Sequence, residues 1–411
     1  MLVRGDDPPD PHDLWGEAFP PKPLGPWHRY AAKVITWRNG VVSGTRREWP
    51  GAVELDVSVD GSSVLALAYP ALTGSPRPGD RVLLNTTALD LGLGTGGYAL
   101  VVAVPDRLPP DPALAGHLVK GRYTPLQATV LGADEQGSPH HDVLRDADDL
   151  GGMPVVVADL HSALPAVLAG VFSWPERALA GGPVPADPAR EAPPRVVYVM
   201  LDGGALPAWF SRTCALLREA GWLTAVITTG QSFGGDLETV TVHTGLLAAR
   251  HVLGADIAVV AQGPGNLGTG TRWGFSGVAA GEAVNAAAVL GGRPVACLRV
   301  SDADPRDRHR GISHHSLTAY GRVALARADV VVPALPGEFG RRIAAQAGPL
   351  GTRHVIVNIP VDGLEAALRG SPAPLSTMGR GPDEDLAYFL AAAAAGRHAG
   401  QLLGGEAVAP G

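Results

Sequence analysis

Cysteine, lysine and long apolar runs are scarce in this chain of 411 residues. The two cysteines, Cys214 and Cys297, each stand in an apolar run without a C-x-x-C motif, which excludes a disulfide framework and a structural zinc site built on cysteine. No apolar run reaches the roughly 18 residues of a membrane span, and the amino terminus lacks the apolar segment of a secretory signal. We therefore expect a cytoplasmic protein with no membrane partner.

The charge balance also restricts the partners. The formal net charge is −7 at pH 7, which gives no reason to expect nucleic-acid binding. The basic residues are almost all arginine, with lysine only at positions 22, 33 and 120, and this composition is typical of a GC-rich bacterial genome. With 45% hydrophobic and 18% charged residues, the chain can form two or three domains. The sequence leaves the oligomeric state open and favours a small-molecule ligand.

Familiar catalytic signatures are missing, among them the P-loop, H-E-x-x-H and G-x-S-x-G. One G-x-G-x-x-G occurs, at Gly263, Gly265 and Gly268. The best helix start is near Ser276, which is late for a nucleotide fingerprint, and the expected acidic residue at the end of the next strand is missing. NAD and FAD are therefore not expected. The cofactor stays unknown, with a divalent metal as one option.

The pattern of apolar runs predicts an α/β fold: a doubly wound, mostly parallel sheet preceded by a small all-β, barrel-like domain. Residues 30–130 contain short β-branched runs separated by turn signals such as "RNG". After a linker at 131–152, seven apolar runs within 153–395 each lead into a polar or glycine cluster and then a helical segment. Residues 1–29 and 396–411 are predicted to be flexible tails.

Polar clusters follow these predicted strands at their carboxyl ends, where open α/β sheets bind ligands. Asp159 and His161 come directly after the first strand, and Asp202 follows the second. All three suit acid–base catalysis or a divalent metal. The alternatives are structural, because Asp159 and Ser162 would also cap a helix and Asp202 would also suit a turn.

The third strand leads into the polar segment "TTGQSFGGDLETVTVHTGL". Gln231 and Ser232 are its candidate ligand donors. Asp236 is predicted to cap a helix that carries Glu238 and His243, and their spacing of five residues is poor for a shared metal.

The segment "SDADPRDRHRGISHHSLTAYG" is rich in acids, arginines and histidines. His309, Arg310 and His314 are its leading candidates, and Ser313 is a predicted helix N-cap. On a helix the adjacent His314 and His315 would diverge by about 100° and would rarely share a metal. The alternative is a solvated charged loop.

The glycine-rich loop, residues 263–274, can bring backbone N–H groups close to an anion. A sharp turn without a ligand is the alternative. The predicted ligand-binding residues are Gln231, Ser232, Gly263, Gly265, Asn266, Gly268, Thr269, Thr271, Arg272 and Arg310.

Several long phrases resemble one bacterial family, catalogued as domain of unknown function 3866. They include "GDRVLLNTTALDLGLGTGGYALV", "GQSFGGDLETVTVHTGL", "QGPGNLGTGTRWGFSG" and "RHRGISHHSLTAYGRV". The resemblance extends from about residue 30 to about residue 390. It implies a soluble bacterial protein of one recurring architecture, and it assigns no activity and no catalytic residues.

Three functions remain open. The first is a hydrolase or transferase that acts on a small anionic or phosphorylated substrate, with Asp159, His161, Asp202 and His314 as catalytic groups. The second is a non-catalytic binding or regulatory protein that uses the same cleft. The third is a metal-dependent hydrolase with Asp159, His161 and Asp202 as candidate ligands. The segment around Lys120 would reach over this cleft from the β-domain.

Overall fold

The computed structural model describes residues 34–93, 96–113, 116–173 and 193–404. Within these residues, the amino-terminal strands close a barrel in the order β1-β2-β3-β5-β4, as the sequence predicted. Its interior is filled by aliphatic side chains from alternate strand positions, such as Val53, Leu55, Val57 and Val59. The barrel strands are β1 (Trp37–Trp49), β2 (Ala52–Val59), β3 (Ser62–Ala68), β4 (Arg81–Asn85) and β5 (Ala99–Ala103).

The predicted turn at "RNG" is wrong, because these residues lie inside β1. Arg38, Asn39 and Gly40 pair with β4 in an antiparallel register. A Cβ atom at Gly40 would lie 2.4 Å from a methyl carbon of Val57. The glycine therefore serves close packing in the barrel rather than chain reversal.

A parallel sheet of eight strands forms the core of the second domain in the described part of the chain. The seven predicted strands are confirmed. A hairpin of β6 (Leu118–Lys120) and β7 (Ala128–Val130) precedes them, and β14 (Val300–Ser301) pairs with β15 (Gly311–Ile312) outside the sheet. The sheet strands are β8 (Pro154–Val157), β9 (Val196–Leu201), β10 (Ala225–Thr228), β11 (Leu237–Glu238), β12 (Ile257–Gln262), β13 (Arg293–Cys297), β16 (Asp329–Ala334) and β17 (Val355–Pro360).

Helices cover both faces of this sheet, which is why most of its strands are apolar throughout. None of the helices in the described ranges is long and apolar enough to cross a membrane. Turns of 3₁₀ or π type occur at His161–Ala163, Ala208–Phe210, Ala248–Val252, Ser276–Val278, Asp307–His309, Ala319–Val323 and Gly348–Thr352. The α-helices are α1 (Pro70–Thr73), α2 (Thr87–Asp90), α3 (His141–Leu144), α4 (Leu164–Phe172), α5 (Arg212–Glu219), α6 (Val242–Leu247), α7 (Ala279–Val289), α8 (His314–Thr318), α9 (Gly337–Ala347), α10 (Leu364–Arg369) and α11 (Pro382–Leu403).

The eighth strand, β11, replaces the start of a predicted helix. Asp236 does not cap that helix, because its carboxylate accepts hydrogen bonds from the backbone N–H of Val226 and from Arg218. Thr241 is the N-cap of α6, and Glu238 lies in β11. A strand of two residues is too short to give a periodic signal.

Both predicted boundaries of the α/β domain need correction. Residues 131–152 are packed rather than a free linker, since Leu144 and Leu150 are buried against the sheet domain. At the other end, α11 runs past residue 395 to Leu403, and Ala399 is fully buried. The alanines at 391–395 are strong helix formers. Gly396 resembles a helix stop signal, but it lies inside α11, where the missing side chain lets the helix pack against the carbonyl of Val167 in α4. The predicted tail at 1–29 and residues 405–411 lie outside the described residues.

The sheet order is β11-β10-β9-β12-β8-β13-β16-β17. The chain therefore starts near the middle at β8, builds one half of the sheet, returns through β12 next to β8, and continues through β13 into the other half. The direction of winding changes at β12, β8 and β13. Ligands in open α/β sheets bind outside the carboxyl ends of strands at such a switch point. We call the space at these three strand ends the candidate cleft.

Candidate functional site

Asp159 follows β8 at the centre of the candidate cleft. The residue is only 4% exposed, and its Oδ2 atom has no hydrogen-bond partner among the described residues. Oδ2 lies 3.6 Å from Nδ1 of His315. A Cβ atom at Gly277 would lie 3.0 Å from the carbonyl oxygen of Asp159, so a glycine here allows close packing against that backbone. Leu160, rather than Asp159 or Ser162, is the N-cap of the following turn.

Three histidines meet beside this carboxylate. His309 comes from the 3₁₀ turn after β14, and His314 and His315 begin α8. One nitrogen from each ring can be chosen such that the three atoms lie within 4.8 Å of one another. We call these residues the histidine cluster.

The predicted divergence of His314 and His315 is wrong, because their ring centroids are 4.4 Å apart. The 100° rule describes Cα–Cβ directions within a helix, whereas rotation about the side-chain bonds brings these two rings together in the first turn after Ser313. The ring of His315 stacks on Phe275 at a centroid distance of 3.8 Å, which fixes its plane.

Ser313 positions the ring of His309 and the backbone of His315. Nδ1 of His309 lies 2.7 Å from Oγ of Ser313. The same Oγ accepts from the backbone N–H of His315, so Ser313 is the helix N-cap that the sequence predicted. His314 differs, since its Nε2 is inaccessible to solvent and has no partner in the described ranges.

The surroundings keep two of these imidazoles neutral. Burial, together with the nearby guanidinium groups of Arg299 and Arg306, lowers the pKa of His309 to about 3. Burial and the neighbouring His315 lower the pKa of His314 to about 4. Neutral imidazole can accept a proton or bind a metal ion.

A buried network of charges borders the histidine cluster. Arg299 is 4% exposed, and its Nη1 lies 3.4 Å from Nδ1 of His315. Asp304 is fully buried and pairs with Arg306 at 2.8 Å and with Arg380 at 3.3 Å. Burial opposes the ionisation of Asp304, yet the hydrogen bonds from Arg306 hold its pKa well below its usual range. These ion pairs fix the wall of the cleft next to the histidines.

The carboxy-terminal helix contributes residues that sequence reasoning missed. Asp385 interrupts the helical geometry of α11, and its Oδ2 accepts hydrogen bonds from Ser301 and Arg380. Tyr388 lies 2.7 Å from the hydroxyl of Ser162. No local pattern connects these positions to a strand end more than 80 residues earlier. The sequence could have indicated only the bend at Asp385, because aspartate is unfavourable inside a helix.

His161 lies in the interior instead of the candidate cleft. Its Nδ1 is 3.0 Å from the hydroxyl of Tyr198, and its Nε2 is 2.8 Å from Oγ of Ser211. Because the Tyr198 hydroxyl donates to the carbonyl of Gln262, it accepts from Nδ1–H, and Nε2 then accepts from Ser211. Burial lowers the pKa of His161 to about 4. Both ring nitrogens therefore have internal partners.

Asp202 and the predicted donors near residue 230 form a separate group. Oδ2 of the exposed Asp202 accepts from the backbone N–H of Gln231. The hydroxyl of Ser232 is buried and donates to a backbone carbonyl. Lys120 lies beneath this loop, and its ammonium group donates to the carbonyl oxygens of Gly230, Ser232 and Thr239 at 2.8–3.0 Å.

The glycine-rich loop folds into a small antiparallel turn. Gly268 and Phe275 form a bridge, and Thr269 N–H donates to Gly274. Its base is tied down by Asn266, whose Oδ1 accepts from Gln262 and Ser276. Several of its donors are therefore used within the loop. Its remaining predicted ligand residues lie in or beside this turn: Gly263 is buried at the base, Gly265 adopts a positive φ, and Thr271 and Arg272 are exposed at the tip.

The tip of this loop lies beside the arginine-rich segment. Nη2 of Arg308 is 3.7 Å from the position that a Cβ atom of Gly270 would occupy. The side chain of Arg310 is exposed, and Nη1 lies 4.0 Å from Asp307. The loop and two arginines thus stand at the rim of the candidate cleft.

A cavity of about 940 Å³ lies between the barrel and α5. Trp49 and Trp209 contribute to its lining, and the indole N–H of Trp49 donates to the carbonyl of Trp209 across the two domains. Ser211 lines it as well, but no residue predicted for the site does. This cavity is therefore separate from the candidate cleft.

Comparison with known proteins identifies a family. A family model described as a protein of unknown function (DUF3866) matches residues 65–396. No curated protein matches the chain. The matched range contains Asp159, the histidine cluster and the glycine-rich loop. Because it spans well over half of the sequence, the chain belongs to the DUF3866 family.

Proposed function

We propose that this protein hydrolyses a small phosphorylated substrate in the candidate cleft. One observation carries the proposal. Buried side-chain nitrogen and oxygen atoms nearly always have partners in folded proteins. Six in the described residues have none, and four of the six belong to residues in or bordering this cleft: Asp159, Gln262, His314 and Asp385. Such a concentration of unpaired polar atoms is expected where a ligand completes the hydrogen bonding.

The chemistry follows from the groups available. A neutral imidazole can take a proton from an attacking water or can hold a metal ion that activates the water. The water oxygen forms a bond to phosphorus, the bond from phosphorus to the leaving oxygen breaks, and the leaving oxygen gains a proton. Hydrolysis therefore requires no redox cofactor.

The rim of the cleft favours an anionic substrate. Arg308 is exposed next to a loop whose glycines allow close approach of a ligand to the backbone, and Arg310 is exposed two residues further along the chain. Arginine and backbone N–H groups are common binding groups for phosphate. Neither guanidinium is buried, so both can meet a substrate that arrives from solvent.

The test combines anion binding with turnover. We expect inorganic phosphate to raise the melting temperature of the wild-type protein, because a ligand of the native state stabilises it. We also expect release of p-nitrophenol or inorganic phosphate from a panel of p-nitrophenyl phosphate, sugar phosphates and nucleotides. Arg308→Ala should weaken phosphate binding by about tenfold, the loss of one charge-assisted contact.

Arg77→Ala is the matched control, because Arg77 is an exposed arginine on the barrel. It should leave phosphate binding unchanged. Equal losses in the two variants would refute the placement of the anion at Arg308. Stabilisation by phosphate without turnover of any substrate would refute hydrolysis and favour a non-catalytic binding protein.

A further inference from the structure

The unpaired nitrogen of His314 is the starting point. Its Nε2 is buried without a partner, while rings of His309 and His315 lie 5.0 and 4.4 Å away, centroid to centroid. Three adjacent imidazoles with no hydrogen bond between them are unusual for a packed interior, where polar groups normally pair. A shared ligand would satisfy them together.

The existing contacts decide which nitrogen each ring can offer. Nδ1 of His309 is used by Ser313. Nδ1 of His315 faces the unpaired Oδ2 of Asp159 at 3.6 Å. These contacts leave Nε2 of both rings available, and Nε2 is also the unpaired atom of His314.

We infer that His309, His314 and His315 bind one divalent transition-metal ion through their Nε2 atoms, and that Asp159 is a positioning residue for His315. Histidine ligands commonly donate their second N–H to a carboxylate or hydroxyl, which fixes the ring. Asp159 and Ser313 occupy those positions. A site with three histidines also leaves coordination positions for water or substrate, as in catalytic zinc sites.

The required rearrangement is small. Metal–nitrogen bonds of about 2.0–2.1 Å in a tetrahedral site separate the nitrogens by roughly 3.3 Å. One nitrogen from each ring already lies within 4.8 Å of the other two, so side-chain rotations can bring the three Nε2 atoms to the required spacing. Arg299 now donates to Nδ1 of His315 at 3.4 Å, so on metal binding this contact must open and the ring proton must move from Nε2 to Nδ1, toward Asp159.

Ligand chemistry and charge indicate the class of metal. Imidazole suits zinc, cobalt, nickel, copper and iron, whereas magnesium and calcium prefer oxygen ligands. The charged groups next to the cluster are balanced in number, with three acids (Asp159, Asp304 and Asp385) and three arginines (Arg299, Arg306 and Arg380). A dication would therefore make the cleft positive, which favours an anion.

This inference deepens the proposed function, because it rests on the same cleft and supplies the group that activates water. The two can nevertheless fail separately. Stoichiometric metal binding without anion binding or turnover would overturn the hydrolase and leave the metal site standing. Phosphate binding or turnover by a protein that binds no transition metal would overturn the metal site alone.

The experiment is a titration of the metal-free full chain with Co²⁺, followed by visible absorption. We expect saturation at one ion per chain, with ligand-field bands of a nitrogen-rich, four- or five-coordinate site, and displacement by Zn²⁺. His314→Ala should lose at least about 100-fold in affinity. No binding by the wild type, or equal binding by His314→Ala, would overturn the inference.

Two controls separate the site from general effects. His243→Ala removes an exposed histidine on α6 and should bind Co²⁺ like the wild type; a matching loss there would overturn the assignment to the cluster. Asp159→Asn should retain the one-ion stoichiometry and lose about 10–100-fold in affinity, the usual cost of removing a residue that orients a ligand. Unchanged Co²⁺ affinity in Asp159→Asn would overturn the role of Asp159.

Discussion

The interior around His161 and the histidine cluster both contain buried polar side chains. In the first region these side chains have hydrogen-bond partners, and in the second several do not. Around His161, the ring, Tyr198 and Ser211 form a continuous series of hydrogen bonds that ends on a backbone carbonyl. In the histidine cluster, His314 and the neighbouring Asp159 keep buried atoms without partners. A buried polar group whose hydrogen bonds are made inside the protein stabilises the fold. A buried polar group without a partner remains free to bind a ligand or a metal ion.

Lys120, like His161, has hydrogen-bond partners inside the protein, and its substitution should have the largest effect on the free energy of unfolding. Lys120→Met removes an ammonium that holds three carbonyl oxygens and lies 3.6 Å from the buried Glu238. We expect a loss of about 3–5 kcal/mol in the free energy of unfolding, because the buried Glu238 loses its counter-charge and three carbonyl oxygens lose a donor. Urea denaturation measures it. Arg122→Met, an exposed control two residues away, should change stability by less than about 0.5 kcal/mol.

His161→Ala should lower the free energy of unfolding by about 2–4 kcal/mol, since it leaves a cavity and removes the acceptor of the Ser211 hydroxyl. The bound Co²⁺ should stay at one ion per chain. The measurements are denaturant unfolding and metal stoichiometry on the same preparation. Loss of the metal in a folded His161→Ala protein would contradict the distinction between the two regions.

The pH dependence of stability sharpens the comparison further. The pKa of His161 is lowered from 6.5 to about 4, so the folded protein disfavours protonation and the unfolded chain takes up the proton first. Its contribution is complete above pH 6.5 and is lost as the pH falls toward 4. When the pH falls from 7.5 to 5, we expect the free energy of unfolding of the wild type to decrease by about 2 kcal/mol more than that of His161→Gln. A difference that stays constant across this range would contradict a buried, neutral His161.

His314→Ala should have the smallest effect on stability. The unpaired Nε2 contributes no hydrogen bond, and the side chain is only partly buried. We expect a change of less than about 1 kcal/mol in the free energy of unfolding, measured by urea denaturation of the metal-free protein. A loss of several kcal/mol would mean that the histidine cluster is structural, like the surroundings of His161.

Sequence patterns predicted the architecture well, because apolar runs between glycine and polar clusters record strands buried on both faces. They predicted Asp159 and His314 for one cleft, and Asp159 does lie beside the histidine cluster, although its contact is with His315. They could not predict that Asp159 lies in the cleft and His161 in the interior. The two residues are only two positions apart after β8, and tertiary packing alone decides what surrounds each of them. The burial of His161 depends on Tyr198 and Ser211, which lie far along the chain.

The same limit applies to the remaining wall of the cleft. Tyr388, Arg380 and Asp385 come from α11 and its approach, and they reach the cleft only through tertiary packing. The pairing of His314 with His315 depends on side-chain rotations at the first turn of a helix, which helical periodicity does not describe. Strand order also decided the site, because β12, β8 and β13 are adjacent only in the folded sheet.

The most direct test of this distinction is the zinc content of three purified proteins after dialysis against micromolar Zn²⁺. The account predicts one ion per chain in the wild type, one in a folded His161→Gln protein, and none in His314→Ala. Retention of the ion by His314→Ala, or its absence from the wild type, would contradict the claim that the unpaired histidine cluster is the binding site.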